Sequence, residues 1–237
     1  MNLPEPNEGK SLAINTSAGT FLRIPMRTRL VKPGDDLMAL IDEYAKPYIQ
    51  PGDILFVSEK IVCITQNRFV KAADVKTTRL ARFLASKVQN HLGTPQFRGF
   101  GHGTAPAMQL LIDEAGYARA LFAAAVAAVT RPLGIKGAFY YLVGKQAKSI
   151  DCPMSWTIPE FKDMAKLAPK DPNGVAQKLK ARYGVEAVVV DANYRGAISL
   201  GKTTSAITEK FILEVLKDNP AGQNNEMTPF LVVRKKS

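Results

Sequence analysis

The residue of this chain that is best suited to phosphate or metal chemistry is an aspartate at the end of an apolar run. Asp191 directly follows the apolar residues 187–190. Ligands of open α/β sheets bind at the carboxyl ends of strands, and a carboxylate there can bind Mg²⁺ or metal-bound phosphate. Aspartate side chains also cap turns. The sequence therefore leaves two interpretations of Asp191 open, a metal ligand and a turn residue.

A second aspartate, Asp151, offers another hard oxygen ligand and is followed by Cys152 and Pro153. Two carboxylates from separate loops are what a nucleotide enzyme needs to hold Mg²⁺ or Mn²⁺ against phosphate oxygens. Taken alone, an aspartate before Cys-Pro is more often a turn residue. The pairing of Asp151 with Asp191 is thus a hypothesis about the fold.

Residues 196–203, GAISLGKT, satisfy the phosphate-binding pattern G-x-x-x-x-G-K-[ST]. In a P-loop, the preceding strand leads directly into the first glycine and the residues between the glycines form a loop. Here DANYR intervenes, residues 197–200 are typical of a strand, and little chain follows Thr203. We therefore expect a chance match, although Lys202 can still contact an anion.

His102 lies in a glycine-rich segment, residues 93–106, and is one of two histidines. An imidazole titrates near neutral pH, so His102 can bind substrate or transfer protons. A surface loop histidine is the more common alternative, and His91, near a predicted helix end, is more ordinary still. No Ser-His-Asp set, HExxH or Rossmann GxGxxG pattern is present, which argues against hydrolase and dehydrogenase functions.

The formal net charge of +11 indicates a protein that attracts anions, such as nucleotides, carboxylate metabolites or nucleic acid. Lysines and arginines are spread along the chain, and the one dense cluster is residues 234–236. Nucleic-acid binding normally concentrates positive charge on one face or helix. We therefore favour small anionic ligands and keep nucleic-acid binding as a minor alternative.

Cysteine usage and hydropathy indicate a folded cytosolic protein. The two cysteines, Cys63 and Cys152, have no metal-binding spacing, and the N-terminal residues do not resemble a secretory signal. The longest apolar stretch, residues 120–129, is shorter than the ~20 residues that a membrane-spanning helix needs. We expect it to form a buried helix, and we expect no membrane association.

Strand and helix patterns alternate along the chain, which predicts an α+β or mixed α/β fold whose strand order the sequence does not reveal. We expect an N-terminal extension or edge strand over residues 1–19, followed by one domain over residues 20–237. Pro25 favours an irregular or edge strand. Residues 54–65 predict a buried strand that enters a polar bend at residues 58–60. The further predicted helices are 78–92, 106–116, 117–129, 173–183 and 205–216, and the further strands are 137–144, 186–193 and 229–234.

Three blocks of sequence together resemble the coenzyme F-420:L-glutamate ligase family. The first, residues 30–68, contains KPGDDLMALI and PGDILFVSEKIVCITQNR. The second joins residues 147–153 to APKDPNGVAQKLK, and the third is VEAVVVDANYRG, residues 185–196. The resemblance runs from about residue 24 to residue 234, and the first block is the most specific.

The resemblance implies a homodimer with a mixed α/β fold that uses GTP (or ATP) and Mn²⁺ or Mg²⁺. The implied reaction activates an acidic acceptor, F-420-0 or another carboxylate, as an acyl phosphate. The amino group of L-glutamate then attacks it to form an amide. Metal ions and positive side chains suit this chemistry because they neutralise charge on the transferred phosphoryl group.

The resemblance also assigns roles to residues of this chain. Asp151 and Asp191 fall on metal-binding aspartates. Where the family has a metal-binding threonine this chain has Ala192, and Asn193 is the residue that can supply the missing oxygen. The implied nucleotide contacts are Arg27, Thr28, Arg29, Ser58, Glu59 and Lys60.

Two further departures from the family pattern are Met154, in place of a polar loop residue, and Ile64, in place of a lysine. These departures motivate a first alternative, a catalytically inactive relative that binds a nucleotide or another anion. A nucleic-acid-binding protein, suggested by the net charge alone, is the second alternative.

Overall fold

The computed structural model describes residues 3–88, 101–155, 157–193, 196–222 and 224–236. The chain forms two compact units. Unit 1 contains Met1–Asn67 and Pro169–Ser237, and unit 2 contains Arg68–Ala168. Unit 2 is thus an insertion between the two sequence segments that build unit 1.

The described residues form both strands and helices, with five consecutive helices in unit 2. In order they are β1 (Ala13–Thr16), β2 (Gly19–Met26), α1 (Leu37–Tyr44), β3 (Ile54–Ser58), α2 (Glu59–Thr65), β4 (Phe69–Lys71), α3 (Arg79–Lys87), α4 (Ala105–Ala115), α5 (Tyr117–Thr130), α6 (Ala138–Val143), α7 (Lys145–Ser149), β5 (Met164–Lys166), α8 (Pro172–Tyr183), β6 (Glu186–Asn193), β7 (Gly196–Lys202), α9 (Glu209–Val215) and β8 (Phe230–Lys235). None of these helices is long and apolar enough to cross a membrane.

Unit 1 is built on a six-stranded mixed sheet with the order β1-β2-β8-β3-β6-β7. Strands β3 and β6 are parallel, and every other neighbouring pair is antiparallel. The β3–β6 register runs from Ile54↔Glu186 to Ser58↔Val190. These features confirm the predicted mixed α+β class and supply the strand order that the sequence could not reveal.

Strand β2 is an interior strand, so the expectation that Pro25 marks an edge strand was wrong. Proline is tolerated because β1 pairs only with residues 19–22 of β2. On its other side, Pro25 lies opposite Leu231 of β8. The missing N–H of Pro25 therefore costs no bond to β1, and β1 is the edge strand.

One part of the core of unit 1 lies between one face of the sheet and α9. Phe56, Val188, Val190 and Leu231 pack with Ile212 of α9 in one buried cluster. Thr208 caps this helix by accepting a hydrogen bond from the N–H of Phe211. The opposite face of β3 and β6 is buried as well, because Leu55, Val57, Ala187 and Val189 are all fully buried.

Unit 2 is mainly helical, with the two-stranded antiparallel sheet β4–β5. Its core contains Met108, Leu111 and Ile112 of α4 together with Ala120 and Ala123 of α5. Thr104 caps α4 and Thr78 caps α3 through their side chains. These caps explain why both helices begin where they do.

Two predicted elements of unit 2 differ in the structure. The predicted strand 137–144 is helix α6, because Phe139 and Tyr140 pack against the helical core of this unit. Packing context outweighs β-propensity in a short aromatic segment. Helix α5 is not a buried helix, since Ala120 and Ala123 are its only buried residues.

Predicted helix boundaries agree where a cap is recognisable in the sequence. Asp171 caps α8 through the N–H of Gly174, and Asp36 caps α1 through that of Ala39. Helix α3 ends at Lys87, whereas the prediction extended to residue 92. The end of that prediction, His91 and most of the glycine-rich segment lie outside the described residues.

Candidate functional site

Strands β3 and β6 bring two predicted site segments to the same edge of the unit 1 sheet. Their last paired residues are Ser58 and Val190. Glu59 follows Ser58, and Asp191 follows Val190. Because the strands are parallel, Glu59 follows the carboxyl end of β3, and Asp191 lies one residue past the last β3–β6 pair. Ligands of such sheets bind at the carboxyl ends of strands. The predicted nucleotide-binding segment Ser58–Lys60 and the predicted metal ligand Asp191 therefore lie on neighbouring strands, beside the same pair of residues.

Asp191 lies inside strand β6, which matches the predicted strand 186–193, so the interpretation of Asp191 as a turn residue was wrong. The strand continues to Asn193 because β7 pairs with it, Asp191 lying opposite Ile198. Val188, Val190 and Ala192 contact the apolar cluster of unit 1. Side chains alternate along a strand, so Asp191 and Asn193 share the opposite face.

This alternation explains the departure at Ala192. Its methyl group packs against the apolar cluster, on the face that Asp191 does not use. An amide oxygen on the face of Asp191 comes instead from Asn193, two residues further along the same strand. Asp191 and Asn193 are both partly accessible to solvent. They are two residues apart on the same strand, so their side chains leave the sheet on the same face.

The predicted bend at residues 58–60 is the start of helix α2. The backbone N–H of Ser58 donates to the carbonyl of Pro229 at 2.8 Å, which continues the pairing with β8 to the last residue of β3. The Glu59 side chain is buried, and its Oε2 lies 3.3 Å from Sγ of Cys63 one helical turn later. Lys60 is half-buried. A strand therefore turns directly into a helix at this position, with charged residues in the first turn.

The predicted nucleotide contacts Arg27, Thr28 and Arg29 have three different environments. Arg27 is exposed, whereas Thr28 is buried and donates to the carbonyl of Arg29 at 2.8 Å. Arg29 makes a bidentate ion pair with Asp35 at 2.7 and 2.8 Å. Hydrogen bonds from Arg29 and from the Lys32 N–H lower the pKa of Asp35 to about 2. The ion pair between Arg29 and Asp35 therefore links the two ends of the segment formed by residues 29–35.

In unit 2, Asp151 is held by backbone pairing with Lys166. The N–H of Lys166 donates to the carbonyl of Asp151 at 2.8 Å, and Asp151 Oδ1 accepts from the Cys152 N–H at 2.9 Å. Gly101 donates through its N–H to the carbonyl of Cys152 at 2.7 Å. These bonds fix the backbone around a partly exposed carboxylate.

His102 is half-buried, and Nε2 of its imidazole is shielded from solvent within unit 2. The ring lies 5.2 Å from the ring of Tyr140. Burial, followed by the nearby charge of Lys166, lowers the pKa of His102 to about 4, while hydrogen bonds to the backbone of Ala147 and Ile150 act in the opposite direction. His102 is therefore neutral at pH 7.

Two residues near His102 drew no attention in the sequence. Lys166 is a buried lysine whose Nζ donates to the carbonyl of Ser149. Burial raises the pKa of Tyr140 to about 12. Neither residue belongs to a recognisable motif, so three-dimensional packing alone reveals this polar group in unit 2.

The structure confirms that residues 196–203 do not form a P-loop, because residues 196–202 are strand β7. Lys202 donates through Nζ to the carbonyl of Ile207 at 2.6 Å. Gly201 is required for packing: a Cβ there would lie 2.2 Å from the carbonyl carbon of Pro172. The second glycine and the lysine of the pattern therefore have structural roles.

The departures at Ile64 and Met154 are buried apolar side chains. Ile64 belongs to α2, and Met154 donates through its backbone N–H to the carbonyl of Met164 at 2.7 Å. Both positions therefore contribute to packing within their own units.

The described residues contain no group of three or more His, Cys, Asp or Glu side chains arranged to hold a metal ion. Mg²⁺ usually takes one or two protein carboxylates and completes its octahedron with waters and substrate phosphates. Asp191 with Asn193 fits that sparse ligand set.

The sequence profile of the family F420-0:Gamma-glutamyl ligase matches residues 25–131. No curated protein matches the chain. The matched segment includes the candidate residues from Arg27 to Lys60 and His102, and it ends before Asp151 and Asp191. The match supports the family resemblance through the first of the three sequence blocks, residues 30–68, and the second and third blocks lie beyond it.

Proposed function

We propose, from the assignment of residues 25–131 to the F420-0:gamma-glutamyl ligase family, that the chain joins L-glutamate to an acidic acceptor in an amide bond. The matched family is a ligase of coenzyme F-420 biosynthesis. The proposed energy source is GTP or ATP, and the proposed metal is Mn²⁺ or Mg²⁺. The acceptor is F-420-0 or another carboxylate of similar charge, and the proposed location is the cytosol.

The observation that supports this function best is that the carboxyl end of β3 lies next to the Asp191 segment of β6. Register places Ser58 beside Val190, so the start of α2 and Asp191 lie at one edge of the sheet. Nucleotides of α/β proteins bind at such an edge. We assign nucleotide contacts to Ser58, Glu59 and Lys60, with Arg27, Thr28 and Arg29 in the loop after β2.

In the proposed reaction, the acceptor carboxylate attacks the γ-phosphorus of the nucleotide and the diphosphate leaves. The glutamate amine then attacks the acyl carbon, inorganic phosphate leaves, and an amide remains. A bound divalent ion neutralises charge on the transferred phosphoryl group. Asp191 and Asn193 are the proposed ligands in unit 1, and Asp151 is the proposed ligand in unit 2.

The chain's own charge contributes to substrate capture. A net charge of +11 raises the local concentration of nucleotide, glutamate and acceptor, all of which are anions. We also propose Lys202 and His102 as substrate contacts, after the residues named above. Nζ of Lys202 already donates to a carbonyl, and His102 is neutral and half-buried.

Product analysis tests the proposal. Purified protein is incubated with F-420-0, L-glutamate, GTP or ATP, and Mn²⁺ or Mg²⁺, and mass spectrometry detects the glutamyl amide and the nucleoside diphosphate. We expect amide formation by the wild type and by Asp74→Asn, whose aspartate is exposed in unit 2, and loss of it in Asp191→Asn. The absence of amide with every nucleotide and metal combination would contradict the ligase assignment.

A second candidate is a relative that binds the nucleotide without turnover. The observation that favours it is the apolar packing of Ala192, Ile64 and Met154 at positions where the family is polar. It predicts that GTP or ATP raises the melting temperature while no diphosphate appears during prolonged incubation with acceptor and glutamate. Release of diphosphate coupled to amide formation excludes this candidate.

A further inference from the structure

The connection between α5 and α6 carries a patch of exposed aliphatic side chains. Every residue from 131 to 137, RPLGIKG, is exposed. Leu133 and Ile135 are 72% and 56% exposed, and Val129 in the last turn of α5 is 67% exposed. Single exposed apolar side chains are ordinary, but three within seven residues concentrate apolar surface as interaction sites do. We call residues 129–137 the apolar turn.

Positive charge flanks the apolar turn. Arg131 and Lys136 lie on either side of its tip, and within the described parts of the chain neither cation forms an ion pair. Residues 115–150 contain no aspartate or glutamate. Nη1 of Arg131 donates to the carbonyl of Lys87 at 3.3 Å, so the end of α3, with the exposed Lys87, lies next to the turn. An anion that approaches the apolar turn therefore meets cations and no carboxylate from the same segment.

The backbone at the tip of the apolar turn has no free N–H group. Pro132 lacks an N–H altogether. Hydrogen bonds within the turn satisfy the next three residues: Leu133 and Ile135 donate to the carbonyl of Thr130, both at 3.1 Å, and Gly134 donates to that of Arg131 at 3.0 Å. An unsatisfied N–H is costly among acyl chains, where no water replaces its partner. Four consecutive residues can therefore leave water without losing an N–H hydrogen bond.

We propose that the apolar turn binds the surface of a bilayer that contains anionic lipids. Leu133 and Ile135 enter the boundary between headgroups and acyl chains, while Arg131 and Lys136 stay at the level of the lipid phosphates. Both kinds of contact are needed, because stable binding of a protein to a bilayer surface generally takes two signals. This proposal is independent of the ligase assignment.

The chemistry of the turn favours a lipid surface over nucleic acid or another protein. Its exposed large side chains are aliphatic, whereas single-stranded nucleic acid stacks on aromatic side chains. The centres of protein interfaces are depleted of charged residues, whereas here cations adjoin the aliphatic side chains in the sequence. A layer of anionic headgroups over acyl chains matches both the cations and the aliphatic tip.

The expectation of no membrane association rested on the length of the apolar stretch at residues 120–129. That length bears on spanning a bilayer, whereas adsorption to its surface needs only a few apolar side chains and nearby cations. The cytoplasmic leaflet of a cell membrane carries anionic lipids, so the proposed surface is compatible with the proposed cytosolic location.

Flotation with lipid vesicles tests the proposal. The full chain is mixed with vesicles of phosphatidylcholine alone or of phosphatidylcholine with phosphatidylglycerol. We expect flotation with the anionic vesicles only, and weaker binding as salt is raised, because salt screens the cations. The double variant Leu133→Ser with Ile135→Ser should bind at least about tenfold more weakly. Lys136→Gln should bind about fivefold more weakly, since it removes one cation from the anionic surface.

Matched controls lie in unit 1. Leu213→Ser alters an exposed leucine of α9, and Lys217→Gln removes an exposed cation that follows this helix. Both should bind the anionic vesicles as the wild type does. Every substituted side chain is exposed, and circular dichroism verifies that each variant is folded.

Four outcomes overturn the proposal. A wild type that floats with neither kind of vesicle does not bind bilayers. Flotation with phosphatidylcholine alone that salt leaves unchanged removes the role of the cations. Binding that the double variant retains, or that Leu213→Ser loses to the same extent, places the lipid contact elsewhere. A wild type that leaves the vesicles unbound but shifts single-stranded RNA in a gel assigns the positive charge to nucleic acid.

Discussion

Asp191 and Asn193 point to one side of β6, and Ala192 points to the other, into the apolar cluster of unit 1. The carboxylate was recognisable in the sequence because it follows a fully apolar run. The strand over residues 186–193 was predicted as well, but the antiparallel pairing with β7 that extends β6 beyond Val190 was not. Partial burial of His102 was equally hidden, since a glycine-rich sequence is typical of exposed loops.

His102 makes a pH-dependent contribution to stability. Its pKa is about 4 in the folded protein, against an ordinary value of about 6.5. Between these values the unfolded chain binds a proton that the folded chain does not, so stability falls as pH decreases. We expect the wild type to lose about 2–3 kcal/mol more than His102→Gln between pH 7 and pH 4.5. Urea unfolding at both pH values measures this, and equal losses would show that His102 titrates normally.

At the scale of elements, caps and strand periodicity could be predicted, but the choice between helix and strand in short apolar segments could not. Helix α8 begins at its predicted cap, whereas α6 replaces a predicted strand. Helix α5 was identified as a helix, but its alanine-rich composition concealed which side is buried. Contacts with other elements decide whether a short apolar segment is helical and which side of a helix is buried. A local sequence pattern does not reveal those contacts.

The packing of β7 on α8 requires a glycine. A Cβ on residue 201 would lie 2.2 and 2.3 Å from the carbonyl carbon and oxygen of Pro172. We expect Gly201→Ala to destabilise the protein by about 1–3 kcal/mol, because backbone must move to relieve the overlap. Chemical denaturation measures the change. A matched Ala197→Gly variant of the same strand should cost less, and a neutral Gly201→Ala would disprove the close approach.

A largely buried ion pair ties β8 to the turn before β3. Arg234 donates to both carboxylate oxygens of Asp53 at 2.8 and 2.7 Å, and Asp53 is 2% exposed. We expect Asp53→Asn to lower the free energy of unfolding by about 3 kcal/mol, since it leaves the guanidinium without its counter-charge. Asp42→Asn, at an exposed pair with Arg182, should cost less than about 1 kcal/mol. Equal effects in urea denaturation would contradict this ranking.

At the scale of the whole molecule, the chain leaves unit 1 after Asn67 and re-enters it at Pro169. Within unit 1, Gln66 and Lys170 exchange hydrogen bonds at 3.0 and 2.7 Å. Within unit 2, Arg68 Nε donates to the carbonyl of Ala168 at 2.9 Å. The two chain segments that join the units, residues 66–68 and residues 168–170, are therefore hydrogen-bonded to each other. No composition change marks them, because long-range hydrogen bonds rather than a linker define the boundary.

This arrangement predicts that unit 1 folds without the insertion. Replacing residues 68–168 by a short Gly-Ser linker should preserve the six-stranded sheet, because the linked ends are already hydrogen-bonded neighbours. We expect a cooperative thermal transition and a sheet-containing circular dichroism spectrum. The same linker joining residues 40 and 190 would delete β3 and should abolish folding. A non-cooperative transition in the first variant would show that unit 1 depends on the insertion.

Calorimetric titration of GTP in the presence and absence of Mn²⁺ tests most directly whether the β3–β6 edge is the functional site. The proteins to compare are the wild type, Asp191→Asn and the control Asp74→Asn. We predict metal-dependent binding by the wild type and the control, and binding at least about tenfold weaker in Asp191→Asn, which loses a charged ligand. Equal, metal-dependent binding by Asp191→Asn and the wild type would contradict the assignment of this edge as the nucleotide–metal site.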